Sequence, residues 1–405
     1  MTDLLRAVLV ALVVAGFAWW ILLPRGWYRD CSQFERKVLW VFFPVRFIAM
    51  PVVFHAVGAA SRRLFSGGTD ADFYDASGRD LSQDIIGSLT VAQPGTGVMR
   101  YSVGVFYWLA GPDRLVATFL WAALGGIGLL LFWLATKDFI PSRKGLYSIL
   151  VLLMPSMLFW SAGIGKEAFM MLGIGCLVMA FAQLHAKGKP LPAALYAIAG
   201  VLITGLVRTH VTAILLMALA AGTLLIPPHL SKVSTTVRIL AVMGIALLML
   251  TCVPLAIRLL APEPGEGLLE LFYRRAGYAA EQGGGSAFEA HPVRSLGDLP
   301  DALGTTLLRP WPWEVKTIPQ MAVLGESLLM VGLFAWNVVL LVSRRARIEW
   351  SPMLAAALVY ILLFAVAFSS YGNFGLLARE RIQVTGFVLV ALFSLRLIQK
   401  ERIPR

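Results

Sequence analysis

Long apolar runs separated by short, mostly basic turns dominate the chain. Crossing about 30 Å of hydrocarbon takes about 20 mostly apolar residues in a helix. Runs of that kind cover roughly 5–23, 38–60, 114–136, 146–165, 167–184, 192–207, 211–227, 237–260, 320–342, 352–370 and 383–398, which predicts about eleven spans. The run 38–60 carries Pro44, Arg46 and His55, so it is expected to kink or to lie at the interface. The stretch 99–111 is too short to span and is expected at the interface or as a lead-in. Two long polar segments break the pattern, 61–98 and 261–319. In the second, Leu268, Leu269, Leu271, Phe272 and Tyr278 alternate at helical spacing with Glu270, Arg274, Arg275 and Glu281. An amphipathic helix is expected there, over Gly267 to Gln282.

Composition narrows the class. The chain is 58% hydrophobic and 14% charged, with a mean hydropathy of +0.76. A soluble domain is about 45–50% apolar and about 25% charged, so a soluble enzyme, a disordered protein and a nucleic-acid module are excluded. The expectation is an all-α, polytopic transmembrane helical bundle with two long outer loops. Its parts are an N-terminal helix and loop (1–37), a transmembrane core (38–260, including the loop 61–98), a long loop (261–319) and C-terminal helices with a tail (320–405). The run from Val8 to Leu23 contains Ala18-Trp19-Trp20 and no small-residue cleavage site, so it reads as a retained helix. Cys31, Cys176 and Cys252 are scattered, and no two histidines have metal-ligand spacing. No phosphate-binding loop, dinucleotide fingerprint or Gly-x-Ser-x-Gly elbow occurs.

Charge sets the expected orientation. Lys and Arg outnumber Asp and Glu by 35 to 23. One set of alternate loops holds most of the excess: Arg25, Arg29, Arg36 and Lys37; Lys137, Arg143 and Lys144; Lys187 and Lys189; Lys232 and Arg238; Arg344, Arg345 and Arg347. The tail adds Arg396, Lys400, Arg402 and Arg405. Basic short loops stay in the cytoplasm, so 61–98 and 261–319 are expected outside.

Against that rule, Lys166, Glu167, Arg208, Arg379, Glu380 and Arg381 all fall on the outer face. The acidic segment Thr69-Asp70-Ala71-Asp72-Phe73-Tyr74-Asp75 joins them. Taken singly, such cations can snorkel to headgroups, and the aspartates can serve as turn and capping residues. Their coincidence on one face favours a site that handles a lipid-linked phosphate, with Lys166, Arg208, Arg379 and Arg381 converging on Asp70 or Asp72. Trp311 and Trp313, in Arg309-Pro-Trp-Pro-Trp-Glu314, fit an interfacial belt better than a sugar-stacking surface.

The order of short motifs resembles the GT-C-fold membrane glycosyltransferases, of the protein O-mannosyltransferase and aminoarabinose-transferase type. Asp70-Ala71 with Tyr74 fits the core of that group's acidic first-loop motif. Pro94-Gly95 leads to the aromatic segment Val105–Gly111. Met154-Pro155-Ser156 precedes Gly165-Lys166-Glu167-Ala168, and Gly205-Leu206-Val207-Arg208 and Arg379-Glu380-Arg381 match basic positions near the outer surface. The likeness covers roughly residues 38–210 and the last spans; the helix 5–23 is an addition, and no large soluble domain follows.

The resemblance implies an inner-membrane enzyme of a bacterial envelope. It would move a sugar from a polyprenyl-phosphate donor to a glycan, lipid or protein acceptor on the periplasmic face, with inversion. Asp70, with Asp72 as the alternative, is the expected base, because Asp70, Ala71 and Tyr74 occupy the motif positions. Tyr74, Lys166, Glu167, Arg208, Arg379 and Arg381 are the expected substrate contacts. A divalent metal could sit between Asp70 and Asp72, though nothing in the sequence requires one. The competing readings are an envelope polysaccharide polymerase or ligase, which would lack the acidic loop, and a flippase, which would need charge buried at mid-membrane depth.

Overall fold

The computed structural model describes residues 28–64, 69–225, 227–260, 274 and 286–398. The expected helices at 5–23 and 267–282, Arg274 apart, lie outside these residues. The described chain is mostly helical. Five of its helical segments are long and apolar enough to cross a membrane: Gln33–Ala59, Arg114–Phe139, Lys166–His185, Pro190–Leu224 and Gln320–Val342. The chain divides into two compact units. One comprises Met1–Ala135, Ser148–Ala180 and Leu191–Thr212; the other comprises Thr136–Tyr147, Phe181–Pro190 and Ala213–Arg405.

In the first unit, α1 (Gln33–Pro44) starts from a reciprocal Ser32–Glu35 capping box. Pro44 brings no N–H to the helix ladder, and a π-helical turn, Val45–Ala49, follows it before α2 (Met50–Leu64). The irregularity expected in 38–60 is therefore a π turn, and it carries Arg46. Helices α3 (Asp70–Leu81) and α4 (Thr96–Ala110) pack antiparallel. A Cβ at Gly78 would overlap Val103, and one at Gly104 would come within 2.9 Å of the Leu81 Cβ, so glycine permits this close approach.

Helix α5 (Arg114–Thr136) runs alongside α8 (Lys166–His185), with Gly128 and Gly175 removing the side chains between the two backbones. The expected span 146–165 is divided into α6 (Lys144–Leu153) and α7 (Pro155–Trp160). Met154 is extended there, and Pro155 opens the new helix, where its missing N–H costs nothing.

Residues 190–224 form one helical stretch, α9, interrupted at Arg208, whose backbone (φ −146°, ψ 80°) is not helical. Gly200 meets Leu177 and Gly173 meets Thr204, so the first half runs antiparallel to α8 and brings Arg208 to Glu167. Beyond the break, Thr223 hydrogen-bonds His185 at the other end of α8. The non-helical residue falls between the two apolar runs, 192–207 and 211–227.

The second unit contains α10 (Thr235–Leu260), α11 (Leu299–Leu308), α12 (Ile318–Val342), α13 (Pro352–Phe368) and α14 (Phe374–Phe393). Helices α13 and α14 share an aromatic core in which Tyr360 lies 4.5 Å from Phe387. The expected last span, 383–398, is displaced: α14 starts at Phe374, capped by Asn373, and ends at Phe393. The residues after it, β2 (Leu395–Leu397), pair antiparallel with β1 (Ala346–Ile348).

Candidate functional site

The acidic segment lies on α3. Asp70 opens the helix and is exposed. Asp72 is committed: Oδ2 accepts from the Thr69 N–H at 2.7 Å and from the Thr69 hydroxyl at 2.6 Å, while Oδ1 accepts from Arg114. One turn along, Asp75 accepts from the Tyr107 hydroxyl and from Arg79, whose guanidinium lies 5.6 Å from the Tyr107 ring centre. Burial, and then the Asp75 hydrogen bond, push the Tyr107 phenol well above its ordinary range, so it stays a neutral donor. Tyr74, expected to touch substrate, is only 3% exposed and packs inward.

A second cluster joins three chain elements. Lys166, at the start of α8, donates to the Thr96 hydroxyl at 3.0 Å, at the start of α4. Its neighbour Glu167 is buried and pairs with Arg208 at 2.8 Å. Gly95, at φ +90°, donates its N–H to the Leu206 carbonyl at 2.7 Å, tying the α4 entry to α9 just before its break. Three of the expected site residues, Lys166, Glu167 and Arg208, thus gather near the start of α8.

These two clusters lie at opposite ends of α4. Thr96 and Tyr107 are separated by about 16 Å along the helix axis, at about 1.5 Å per residue. Helix α3 runs antiparallel to α4, so Asp70 lies beyond Asp75, farther still from Thr96. Lys166 and Arg208 therefore do not converge with Asp70. The cation beside the acidic segment is Arg114.

Beneath the second cluster sits Arg46, fully buried. It donates to the carbonyls of Ala122 (3.0 Å), Leu158 (2.5 Å) and Ser161 (2.7 Å). Leu158 and Ser161 end α7, where carbonyls lose their helical donors, and the turn after them delivers Lys166. Gly125 and Gly126 make the space: a Cβ at either would come 2.5 to 2.9 Å from Arg46.

In the second unit, Arg381 lies within α14 and does not project as a free cation. It donates to the Thr306 carbonyl at 2.9 Å, to Ser327 at 3.3 Å and to the Arg309 carbonyl, closing the end of α11. Glu380 is buried and accepts from Gln383 at 2.6 Å; Arg379 is half-buried. Arg309 in turn pairs with Glu314 at 3.1 Å, and Trp311 stacks on Trp313 with ring centres 6.0 Å apart.

Sequence reasoning missed Arg114, Tyr107, Asp75 and Arg46 as members of these networks. Arg114 had a usable signal, because a cation in a helix's first turn opposes the helix dipole and calls for a carboxylate. Among the described residues, no three His, Cys, Asp or Glu side chains gather as metal ligands do. With both oxygens of Asp72 engaged, an Asp70–Asp72 metal pair would have to displace the Thr69 and Arg114 bonds.

No protein-family model, curated protein or solved structure matches the chain.

Proposed function

We propose that the protein is a polytopic glycosyltransferase of the bacterial inner membrane, GT-C-like in its spans. It moves a sugar from a polyprenyl-phosphate donor to an envelope acceptor on the periplasmic face. The observation that carries this reading is the surface helix α3, which sets an exposed carboxylate, Asp70, two residues from an Asp72–Arg114 pair, where Arg114 begins the apolar helix α5. In the proposed reaction Asp70 takes the acceptor hydroxyl proton as that oxygen attacks the anomeric carbon. The bond from that carbon to the phosphate oxygen breaks, and the lipid phosphate leaves with the electron pair. Arg114, at the same end of α4, is the cation suited to that developing charge. Lys166 and Arg208 would hold a more distant anionic part of donor or acceptor.

Membrane vesicles carrying the protein should release free polyprenyl phosphate from a polyprenyl-phosphate sugar when acceptor is supplied. Asp70→Asn should slow that release by about 10²–10⁴-fold. Release at the wild-type rate by this variant would remove Asp70 as base.

One observation favours a second reading, a polysaccharide polymerase or ligase using the same carriers. The Lys166–Glu167–Arg208 cluster is built independently of the acidic helix. In that case Lys166→Ala would abolish activity while Asp70→Asn left it intact.

A further inference from the structure

The small sheet of the second unit carries charge in an unusual arrangement. Strands β1 and β2 pair in the register Ala346↔Leu397, Arg347↔Arg396 and Ile348↔Leu395. Ala346 and Leu395 pack with Leu340 beneath the sheet. The opposite face presents Arg347 and Arg396, directly across from each other and both exposed. Like charges facing across a strand pair repel, and an isolated two-stranded sheet is marginal in water. Arg396 has one carboxylate, Glu349, at 2.8 Å, itself partly exposed. Arg347 meets no carboxylate among the described residues. Arg344, at φ +52°, and Arg345 turn the chain into β1, adding two exposed cations.

The position of this sheet says what supplies the missing charge. Val342 ends the apolar segment Gln320–Val342, and β1 begins four residues later. If α12 spans a membrane, the sheet sits at the headgroup level by chain continuity alone. Trp350 and Ile398 flank it, both more than half exposed, an aromatic and aliphatic border suited to an interface. Arg143 is not available as a further ligand, since it holds Asn337 at 2.8 Å and the Leu392 carbonyl at 3.3 Å.

We propose that the Arg347–Arg396 face binds the phosphate of an anionic phospholipid headgroup, whose charge lies between the two guanidinium groups. Guanidinium forks match phosphate oxygens in geometry as well as charge. The bound lipid fastens the end of α14 to the end of α12. This inference rests on the membrane reading of α12 and is independent of any sugar-transfer chemistry.

Trp350 reports locally. The protein is reconstituted in phosphatidylcholine bilayers containing a fixed fraction of brominated phosphatidylglycerol or brominated phosphatidylcholine. The Trp350 signal is taken as the difference between wild type and Trp350→Phe. Brominated phosphatidylglycerol should quench it more strongly. At about a fivefold gain per basic residue near an anionic surface, the preference should fall roughly thirtyfold in Arg347→Gln/Arg396→Gln. The Arg347→Lys/Arg396→Lys protein should keep most of it, which separates lost charge from lost fold. Equal quenching by the two lipids in wild type would overturn the proposal, as would an undiminished preference in the double Gln variant. Loss of the preference on adding millimolar inorganic phosphate at constant ionic strength would also overturn it, by assigning the site to a free anion.

Discussion

Asp72 spends one carboxylate oxygen on Thr69 and the other on Arg114, while Asp70, two residues earlier, is exposed. Their substitutions should therefore separate. Asp72→Ala removes the capping acceptor and the partner of a mostly buried Arg114, and chemical denaturation should show a loss of about 1–2 kcal/mol. Asp70→Asn should slow transfer far more than it shifts the denaturation midpoint. A stability loss at Asp70 equal to that at Asp72 would assign both to structure. The buried Glu167–Arg208 pair makes a second test. Glu167→Gln or Arg208→Met alone should cost about 3–5 kcal/mol, because each strands the other's polar group, and the double variant should cost less than the sum. Additive losses would mean that the pair is not coupled. Lys166, Glu167 and Arg208 were legible in sequence because charge in an apolar chain stands out. Tyr107 and Asp75 were not, since nothing local announces that antiparallel packing of α3 on α4 will place one against the other.

At the scale of helices, glycine and proline decide where elements break or touch. Pro44 precedes the π turn that turns Arg46 inward, and Pro155 divides the segment expected as one span. Gly125 and Gly126 give Arg46 its room. Gly125→Ala should destabilise by about 1–3 kcal/mol through overpacking. Gly244→Ala, on α10 where a Cβ meets nothing within 4 Å, should stabilise by about 0.5–1 kcal/mol through helix propensity. Equal effects at the two positions, read by thermal unfolding in one detergent, would show that the Arg46 niche can yield. Hydrophobic runs marked where apolar helices lie, but among the described residues five segments, against about eleven expected, are long and apolar enough to cross a membrane. The runs misplaced the end of α14, since Leu395-Arg396-Leu397 is apolar enough to extend a helix. Its pairing with Ala346–Ile348 depends on a partner distant in the chain. The break in α9 falls at Arg208, between two apolar runs of the sequence.

At the scale of the whole molecule, five helical segments are long and apolar enough to cross a membrane, and the proposed function requires its chemistry to face one side. Orientation is the first requirement. A reporter fused within residues 283–285 should be active on the periplasmic side, and one after Arg405 on the cytoplasmic side. The reverse result would move Asp70, Lys166 and Arg208 to the cytoplasm and remove the proposed donor from reach. The central claim, that the protein adds a sugar to an envelope acceptor with Asp70 as the base, is tested most directly by mass spectrometry of envelope glycans from a strain lacking the gene, complemented in parallel with wild type and with Asp70→Asn. The account predicts an acceptor short of a single sugar residue in the deletion, restored by wild type and not by an equally abundant Asp70→Asn protein. An unchanged glycan profile in the deletion, or full restoration by Asp70→Asn, would contradict it.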